Sequence, residues 1–376
     1  MSAVSDAGPG GRRAGRLRVV PRALASRFLR LRRRERPAAP RRILVAHHLL
    51  LGDTLMLTPL LAKLREQHPQ AHIAMTVQRA FAPLYATRPY GIEPVIFEPR
   101  ESATLDALFT SEGFDLAIVP GDNRHAWLAA AAGARWIVAH AGDRPAYKSW
   151  PVDELRLYPD QPAAWGDMVA LLADGPAPRP YRPQDWPAPP CAPFGKPEGQ
   201  YCVIHVGASS RLKLWNPERW FAVAEELAQR GLQVVWSAGR GEESEVAAID
   251  PGGRFASCAG ALDLAQLWHL IKGARLLLSP DTGIAHLGRL TGTPGITLYG
   301  PASATLVGPG EFLRDIPCRT VTVEDFPCRD QRILFKREIE WVRRCQRTLA
   351  ECPAPRCMHA IGVDGVVLGA AELLRC

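Results

Sequence analysis

Short apolar segments alternate with helical segments twice along this chain of 376 residues. Strands that are joined by helices run parallel, and a parallel sheet needs helices on both of its faces. The first series starts with the apolar run at 43–46, and the second starts at Tyr201. We therefore predict two α/β domains, each built on a Rossmann-like sheet. Ligands bind such sheets at the carboxyl ends of the strands, so we expect the two domains to face one another across a cleft.

Composition divides the chain further. We predict a basic arm at 1–42, an N-terminal α/β domain at 43–173 and a C-terminal α/β domain at 200–357. Between the domains lies an extended linker at 174–199, which contains nine prolines. The segment 358–376 contains an amphipathic helix that we expect to pack back on the domain junction. No apolar run in the sequence is long enough to span a bilayer.

Positive charge is concentrated in the arm. Residues 1–42 contain thirteen arginines and two acidic residues, a net charge of +11, so the remainder carries about −3 of the total of +8. Five apolar residues recur in the arm at three- and four-residue steps: Leu17, Val20, Leu24, Phe28 and Leu31. A basic amphipathic helix suits an anionic membrane surface, and a disordered arginine-rich leader is the alternative. The arm is too basic for a secretory signal, so we expect a cytoplasmic protein at the inner membrane.

One strand-to-helix junction is especially suited to an anion. An apolar run ends at Pro280 and is followed by Asp281-Thr282-Gly283-Ile284-Ala285-His286. The first turn of a helix carries unpaired N–H groups and a partial positive charge, so it attracts phosphate. Gly283 allows close approach to the backbone, and Asp281 is positioned to cap the turn. An ordinary capped junction is the alternative interpretation of this motif.

Three further loops follow predicted strands. In the first, Gly52 leaves room for a ligand, and Asp53 is either a general base or a plain helix cap. In the second, small residues precede cationic ones, an arrangement suited to phosphate; its candidate ligands are Ser209, Ser210 and Lys213. In the third, the carboxylate of Glu242 can accept hydrogen bonds from a ribose. The first domain thus has one candidate for a general base, and the second has three loops suited to a nucleotide. This distribution indicates that each domain has a different role in the site.

Several functions are excluded by missing motifs. The first strand is not followed by G-x-G-x-x-G, and the sequence has no P-loop, no Asp-x-Asp metal clamp and no H-E-x-x-H or G-x-S-x-G motif. The cysteines are ambiguous. Five near the C-terminus lack the paired C-x-x-C spacing of a zinc site: Cys318, Cys328, Cys345, Cys352 and Cys357. They are either reduced thiols or, for four of them, the ligands of a structural metal.

Together these motifs resemble glycosyltransferase family nine, the heptosyltransferases of the GT-B fold that build the inner core of lipopolysaccharide from ADP-heptose. The resemblance covers about residues 41–376 and omits the arm. It rests on five groups of residues: Leu51-Gly52-Asp53-Thr54 with Thr58-Pro59; His205 to Ser209 with Lys213 to Pro217; Gly239 to Glu243; Asp281 to His286 with Leu298 to Pro301; and Cys357-Met358-His359-Ala360-Ile361.

The resemblance implies an inverting, metal-independent transfer of heptose from ADP-heptose to the lipopolysaccharide inner core, a lipid-linked oligosaccharide. It implies that the N-terminal domain binds the acceptor and that Asp53 is the general base. The C-terminal domain is then the donor domain, and its donor-binding candidates are Ser209, Ser210, Lys213, Glu242, Asp281, Thr282, Gly283 and His286. A family member with another nucleotide sugar or a protein acceptor is the alternative. A nucleic-acid-binding protein acting through the arm is a weaker one, since the body of the chain is acidic, and we expect no nucleic-acid partner.

Three departures from the family pattern stand out. Asn216 separates Trp215 from Pro217, where the family usually joins Trp to Pro directly, and His47-His48 replace a common Arg or Ser. The insertion Asp330–Arg344 is rich in basic residues and lies between the cysteines. These departures leave the sugar and the acceptor open, but they do not affect the reaction type.

Overall fold

The computed structural model describes residues 10–29, 35–109 and 112–375. Its centre consists of two six-stranded parallel sheets, with the orders β3-β2-β1-β4-β5-β6 and β12-β11-β10-β7-β8-β9. The strands of the first sheet are β1 (Arg42–Val45), β2 (His72–Val77), β3 (Ile92–Ile96), β4 (Phe114–Val119), β5 (Ala134–His140) and β6 (Glu154–Arg156). Those of the second are β7 (Tyr201–His205), β8 (Gln233–Ser237), β9 (Ala256–Ser257), β10 (Leu276–Pro280), β11 (Gly295–Tyr299) and β12 (Cys318–Thr322). A separate antiparallel hairpin consists of β13 (Ile333–Leu334) and β14 (Arg337–Glu338).

Helices connect these strands and cover both faces of the sheets. In the first half they are α1 (Gly10–Leu29), α2 (Leu51–Leu55), α3 (Thr58–Gln67), α4 (His125–Ala131) and α5 (Trp165–Ala170). In the second half they are α6 (Pro217–Gln229), α7 (Glu243–Ile249), α8 (Leu264–Lys272), α9 (Gly283–Thr291), α10 (Ala304–Val307), α11 (Arg356–His359) and α12 (Val363–Arg375). Within the described ranges, none of the helices combines the length and the apolar character needed to cross a membrane.

Both sheets have the strand order of a doubly wound fold. Central strands are apolar throughout because helices bury them on both faces: Leu44 of β1 pairs with Ala74 and Ala117 on its two sides, and all three are buried. Successive strands are added on one side of β1 up to β3 and then on its other side from β4 onward, so the first sheet has its switch point between β1 and β4. The second sheet has its switch point between β7 and β10. Such a switch point opens a crevice at the carboxyl ends of the strands, where ligands bind. The predicted fold of two Rossmann-like domains facing a cleft is confirmed.

The proline-rich segment is packed between the sheets. Trp186 is fully buried, and its ring lies 5.0 Å from that of Tyr85 in the first half and 5.7 Å from that of Trp268 in the second. Its indole N–H donates to the carbonyl of Leu84 at 3.1 Å. Tyr181 donates its hydroxyl to the carbonyl of Leu290 on α9 at 2.6 Å. Residues 174–199 therefore hold the two sheets together, in addition to joining them in sequence.

Two segments differ from expectation in their packing. Of the arm, the structure describes helix α1, which lies against α4, and residues 35–42; residues 1–9 and 30–34, including Leu31, lie outside the described residues. The C-terminal helix, which we expected on the domain junction, makes its main contacts within the second domain. It packs on α6 and on strands of the second sheet, where Val366, Ala370 and Leu373 are buried in that sheet's core. Its apolar face fits the sheet surface beside α6, which the sequence pattern alone did not assign.

Short elements were the least predictable. The sequence patterns at 81–87 and near 103–111 favour helices, but the structure has single 3-10 turns there, at Ala82–Tyr85 and Ser102–Leu105; residues 110–111 lie outside the described residues. Pro83 and Pro89 limit the first of these turns. The sheet-edge strands β6, β9 and β12 were not predicted, because edge strands are short and only partly apolar.

Candidate active site

Asp53 lies at the carboxyl edge of the first sheet, in the loop and helix that follow the central strand β1. It is the third residue of α2, whose N-cap, Leu50, makes no side-chain hydrogen bond. The Asp53 carboxylate is partly buried and accepts no hydrogen bond from the part of the chain that the structure describes. The carboxylate therefore does not cap the helix, and it remains available to a ligand.

The two domains meet closely beside Asp53. A Cβ atom added to Gly283 at the start of α9 would lie 2.8 Å from the Leu51 side chain. One added to Gly52 would lie 3.2 Å from Cδ2 of His286. A Cβ atom at Gly283 would therefore require a shift of Leu51, and one at Gly52 would fit only if His286 moved by a few tenths of an ångström, because the amino-terminal turns of α2 and α9 lie so close. This contact places Asp53 next to the predicted phosphate-binding turn of the other domain.

The turn at Asp281 is stabilised by a salt bridge. Lys213 donates its ammonium to the Asp281 carboxylate at 2.8 Å and to the Asp281 carbonyl at 2.7 Å. Thr282, not Asp281, is the N-cap of α9, and its hydroxyl accepts from the backbone N–H of Ile284 at 3.3 Å. The cap predicted for Asp281 is thus wrong, because that carboxylate is taken by Lys213. Lys213 lies at the amino-terminal end of the nine-residue helix α9. The positive charge of the lysine and the partial positive charge of the helix end both favour a bound anion.

The loop after β7 supplies the other predicted phosphate ligands. Ser210 caps the 3-10 turn Arg211–Lys213, and its hydroxyl accepts from the N–H of Leu212 at 3.3 Å. This cap fixes the turn from which Lys213 extends towards Asp281. Ser209 is exposed one residue earlier. The structure therefore brings Ser209, Ser210 and Lys213 to the same edge of the second sheet as the turn at Asp281.

Glu242 lies over the ends of β7 and β8. Its carboxylate accepts from the N–H of Gly239 at 2.8 Å. A Cβ atom on Gly239 would lie 2.7 Å from the same oxygen, and one on Gly207 would collide with it. The two glycines make room for this carboxylate at the carboxyl edge of the sheet. Glu242 and Lys213 therefore lie at neighbouring positions along the carboxyl edge of the second sheet.

His286 lies one turn into α9 and faces the domain interface. Its imidazole packs against Gly52, and Nδ1 accepts a hydrogen bond from the Arg289 guanidinium at 3.1 Å. Burial lowers the pKa of His286 well below its ordinary value, and the positive charges of Arg289 and Lys213 lower it further. His286 is therefore a neutral residue between the two domains and lies deeper than the first turn of α9.

Burial and neighbouring charges tune the candidate base. Burial raises the pKa of the Asp53 carboxyl to about 6, and the negative charge of Asp281 also raises it. The positive charges of Lys213 and Arg344 lower it. At neutral pH the carboxylate is mostly ionised, and its pKa is nevertheless high enough for it to accept a proton from a hydroxyl. Arg344 was not identified from the sequence; it lies in the insertion between the cysteines.

The alternative in which four cysteines hold a structural metal finds no support in the described residues, among which no group of three or more His, Cys, Asp or Glu side chains is arranged to hold a metal. Cys318 lies on strand β12, and the thiol of Cys352 turns back to the carbonyl of Ala354 at 3.1 Å. Burial raises the pKa of the Cys328 thiol, and the nearby thiols of Cys345 and Cys352 raise it further.

This geometry supports one kind of chemistry well. An ionised carboxylate of raised pKa faces a cation and a helix amino terminus across a domain cleft, and a second carboxylate lies further along the same edge. The carboxylate can take a proton from a nucleophilic hydroxyl. The cation and the helix terminus can stabilise a departing phosphate.

Comparison with known proteins agrees with this chemistry. The model of glycosyltransferase family 9 (heptosyltransferase) matches residues 111–331, more than half of the chain. Lipopolysaccharide heptosyltransferase 1 of Escherichia coli K12 is 27% identical over 140 residues, which are 37% of this chain. That stretch covers 43% of the relative, so the chain matches less than half of its length.

Solved structures share the fold. The E. coli ADP-heptose lipopolysaccharide heptosyltransferase II superposes with a TM-score of 0.66 at 18% identity, over 89% of this chain and 98% of that one. An iron-containing dodecameric glycosyltransferase of enterotoxigenic E. coli superposes with a TM-score of 0.56 at 14% identity, over 91% and 80% of the two chains. At these identities the similarity establishes the fold alone.

The state of Asp53 can be measured directly. We expect its carboxyl to titrate with a pKa of about 6, because burial outweighs the nearby positive charges. Carbon-13 NMR of labelled aspartate carboxyls would report this value, with the Asp53 signal assigned by its loss in Asp53→Asn. Lys213→Met should raise the pKa further, since it removes a positive charge that lowers it. A value at the ordinary aspartate pKa of about 4 would contradict the electrostatics of the site.

Proposed function

Because the chain belongs to glycosyltransferase family 9, and is a glycosyltransferase, we propose that it transfers heptose from ADP-heptose to the inner core of lipopolysaccharide with inversion at the anomeric carbon. One observation carries the proposal: the free carboxylate of Asp53 faces the turn that pairs Lys213 with Asp281 across the cleft. An acceptor hydroxyl bound to the first domain would meet the sugar of a donor bound to the second.

The proposed mechanism uses Asp53 as the general base. The carboxylate takes the proton of the acceptor hydroxyl as its oxygen attacks the anomeric carbon from the side opposite the leaving group. The bond from the anomeric carbon to the diphosphate breaks at the same time, and negative charge grows on the diphosphate. Lys213 and the free N–H groups at the start of α9 stabilise that charge.

Donor identity is the finer part of the proposal. Lys213, Ser209, Ser210 and the turn at 281–283 suit any nucleoside diphosphate, and Glu242 suits any ribose. The choice of ADP-heptose is supported by the heptosyltransferases that this chain resembles. Another nucleotide sugar, or a protein acceptor, is the alternative, and a nucleotide-binding screen separates the donors.

The proposal includes transfer without a catalytic metal. Negative charge grows on the departing diphosphate, and Lys213 beside a helix amino terminus can stabilise it without a metal ion. Turnover should therefore persist in EDTA. Turnover that is lost in EDTA and restored by magnesium or manganese, while circular dichroism shows an intact fold, would contradict this part of the proposal.

Helix α1 supports the proposed location at the inner membrane. Arg22 donates to the carbonyl of Ala131 at 3.0 Å, and Arg27 makes a two-bond salt bridge to Asp153 at 2.9 and 3.0 Å, so arginines bind this helix to the first domain. Four apolar residues of the same helix point outward: Leu17, Val20, Leu24 and Phe28 are 74, 39, 54 and 76% exposed. A docked helix with an exposed apolar stripe in a strongly basic arm fits an anionic membrane surface, where a lipid-linked acceptor would be found.

Asp53→Asn tests the proposed reaction. We expect turnover with ADP-heptose and a short core acceptor to fall about a hundredfold or more, because the amide cannot take the proton. Affinity for ADP should be unchanged. The wild-type kcat/KM should fall as the pH drops below about 6, since protonation of Asp53 removes the base.

Glu245→Gln, a change of the same kind at a half-buried position in the first turn of α7, is the matched control and should retain wild-type turnover. Near-wild-type turnover of Asp53→Asn would rule out Asp53 as the base. Absence of any sugar transfer by the wild type from ADP-heptose, despite binding of another nucleoside diphosphate, would favour the alternative donor.

Vesicle binding tests the role of α1. The double variant Leu24→Asp, Phe28→Asp should bind anionic vesicles about tenfold more weakly or worse, because it removes exposed apolar surface and adds negative charge. Wild-type binding should weaken as salt is raised. Leu368→Asp changes an equally exposed leucine on α12 and should bind like the wild type. Equal sedimentation of all three proteins would contradict membrane contact through α1.

A further inference from the structure

The insertion at 330–344 has both ends fixed to the second domain. Gln331 and Arg344 form two backbone hydrogen bonds with each other, at 3.0 and 3.1 Å. The N–H of Cys345 donates to the carbonyl of Pro301 at 2.8 Å, just beyond the end of β11. Cys328 and Cys345, which lie near enough for one thiol to affect the pKa of the other, flank the insertion. The segment thus leaves and rejoins the carboxyl edge of the second sheet.

The tip of the insertion reaches the first domain. Strands β13 and β14 are joined by Phe335 and Lys336, with φ angles of 45° and 64°. Non-glycine residues rarely adopt positive φ, so the surroundings must stabilise this turn. The Phe335 ring lies 4.9 Å from that of Trp165 on α5 and also faces Gly121, just after β4. Gly121 in turn packs against Leu49, in the loop that carries Asp53.

Arg337 anchors the hairpin inside the first domain. Its guanidinium is 2% exposed and donates to Asn123 Oδ1 at 2.6 Å and to the carbonyls of Ala141 and His140 at 2.9 and 3.2 Å. The Asp143 carboxylate lies 3.6 Å away and balances its charge. A buried guanidinium with this many partners is a specific attachment, because a buried charge without partners would be strongly unfavourable.

Apolar contacts complete the attachment. Leu334, Ile339 and Val342 are buried in the core that the two domains share. The Trp341 indole donates to the carbonyl of Pro159 in the first domain at 2.8 Å. The insertion, which we call the clasp, is therefore a packed bridge between the domains on the side of the cleft where Asp53 lies.

Arg344, at the base of the clasp, has no evident structural task. Its side chain is half-buried, and its guanidinium makes no hydrogen bond or ion pair within the described ranges. Its neighbour Arg343 is exposed and donates to the carbonyls of Glu340 and Val342 in the clasp itself. Lys213, the other cation near Asp53, is already paired with Asp281. The backbone next to Arg344 is fixed at the carboxyl edge of the second sheet, the edge that carries the proposed diphosphate site, and a guanidinium free at that edge is suited to bidentate binding of phosphate oxygens.

We propose that the clasp fixes the two domains around the substrates and that Arg344 binds a phosphate group of one of them. This inference rests on the proposed function, since it needs a phosphate in the cleft. Two sources have the same chemistry: the diphosphate of the donor and a phosphate carried by the acceptor. Arg344 then adds a cation to the cleft at a position that the helix terminus and Lys213 do not fill.

Calorimetry and kinetics on the full chain test this inference. Arg344→Gln should weaken ADP binding about tenfold or more if the phosphate is the donor's, and leave adenosine binding unchanged. If the phosphate is the acceptor's, ADP binding should hold, while KM for a phosphorylated acceptor rises and that for its dephosphorylated form does not. Arg344→Lys should lose less of the affected binding than Arg344→Gln, since lysine keeps the positive charge. In either case the acid limb of kcat/KM should move to higher pH, because a positive charge near Asp53 is lost.

Arg343→Gln is the matched control, with the same change one residue away, and should resemble the wild type in every measurement. If Arg344→Gln, with a wild-type circular dichroism spectrum, changes neither ADP binding nor the KM of the phosphorylated acceptor, Arg344 binds no phosphate, even where the acid limb moves. If the wild type binds no nucleoside diphosphate and transfers no sugar, the proposed function itself fails. The two failures are therefore distinguishable.

Discussion

The close approach of α2 and α9 is the constraint on which the site depends. Gly52 and Gly283 allow the first turns of these helices to meet, one from each domain. Each helix follows a central strand at its sheet's switch point, so the contact joins the two crevices. It brings the carboxylate of Asp53 into the electrostatic field of Lys213 and Asp281, neither of which belongs to its own domain. A bulkier residue at either glycine would separate the base from the phosphate-binding turn.

Other bridges hold this arrangement. Trp186 of the proline-rich segment lies between aromatic rings of both domains, and Arg337 of the clasp is buried among carbonyls and carboxylates of the first. These contacts keep the cleft narrow, and burial in the narrow cleft raises the pKa of Asp53 to about 6. The chemistry of the base is thus a consequence of domain packing more than of the residues next to Asp53 in sequence.

Much of the fold could be predicted from the sequence, because central parallel strands are apolar runs and their helices have caps. The apolar runs at 72–77, 114–119 and 295–299 predict strands that coincide with β2, β4 and β11, and the capped helical pattern at 217–229 coincides with α6. The predicted site residues lie along one cleft because each follows a strand. The clasp and Arg344 could not be predicted as part of the site, because their positions depend on contacts between residues distant in sequence. The cap assigned to Asp281 failed for the same reason, since Lys213 lies 68 residues away.

The most direct test of the account is the nucleotide affinity of Lys213→Ala, measured by calorimetry with ADP and with adenosine. A hydrogen-bonded charge lost from the diphosphate should weaken ADP binding by about 1.5–3 kcal/mol, roughly ten- to a hundredfold. Adenosine lacks the diphosphate, so its affinity should hardly change. Equal losses for both ligands, or unchanged binding of ADP, would contradict the assignment of the donor diphosphate to Lys213 and the turn at Asp281.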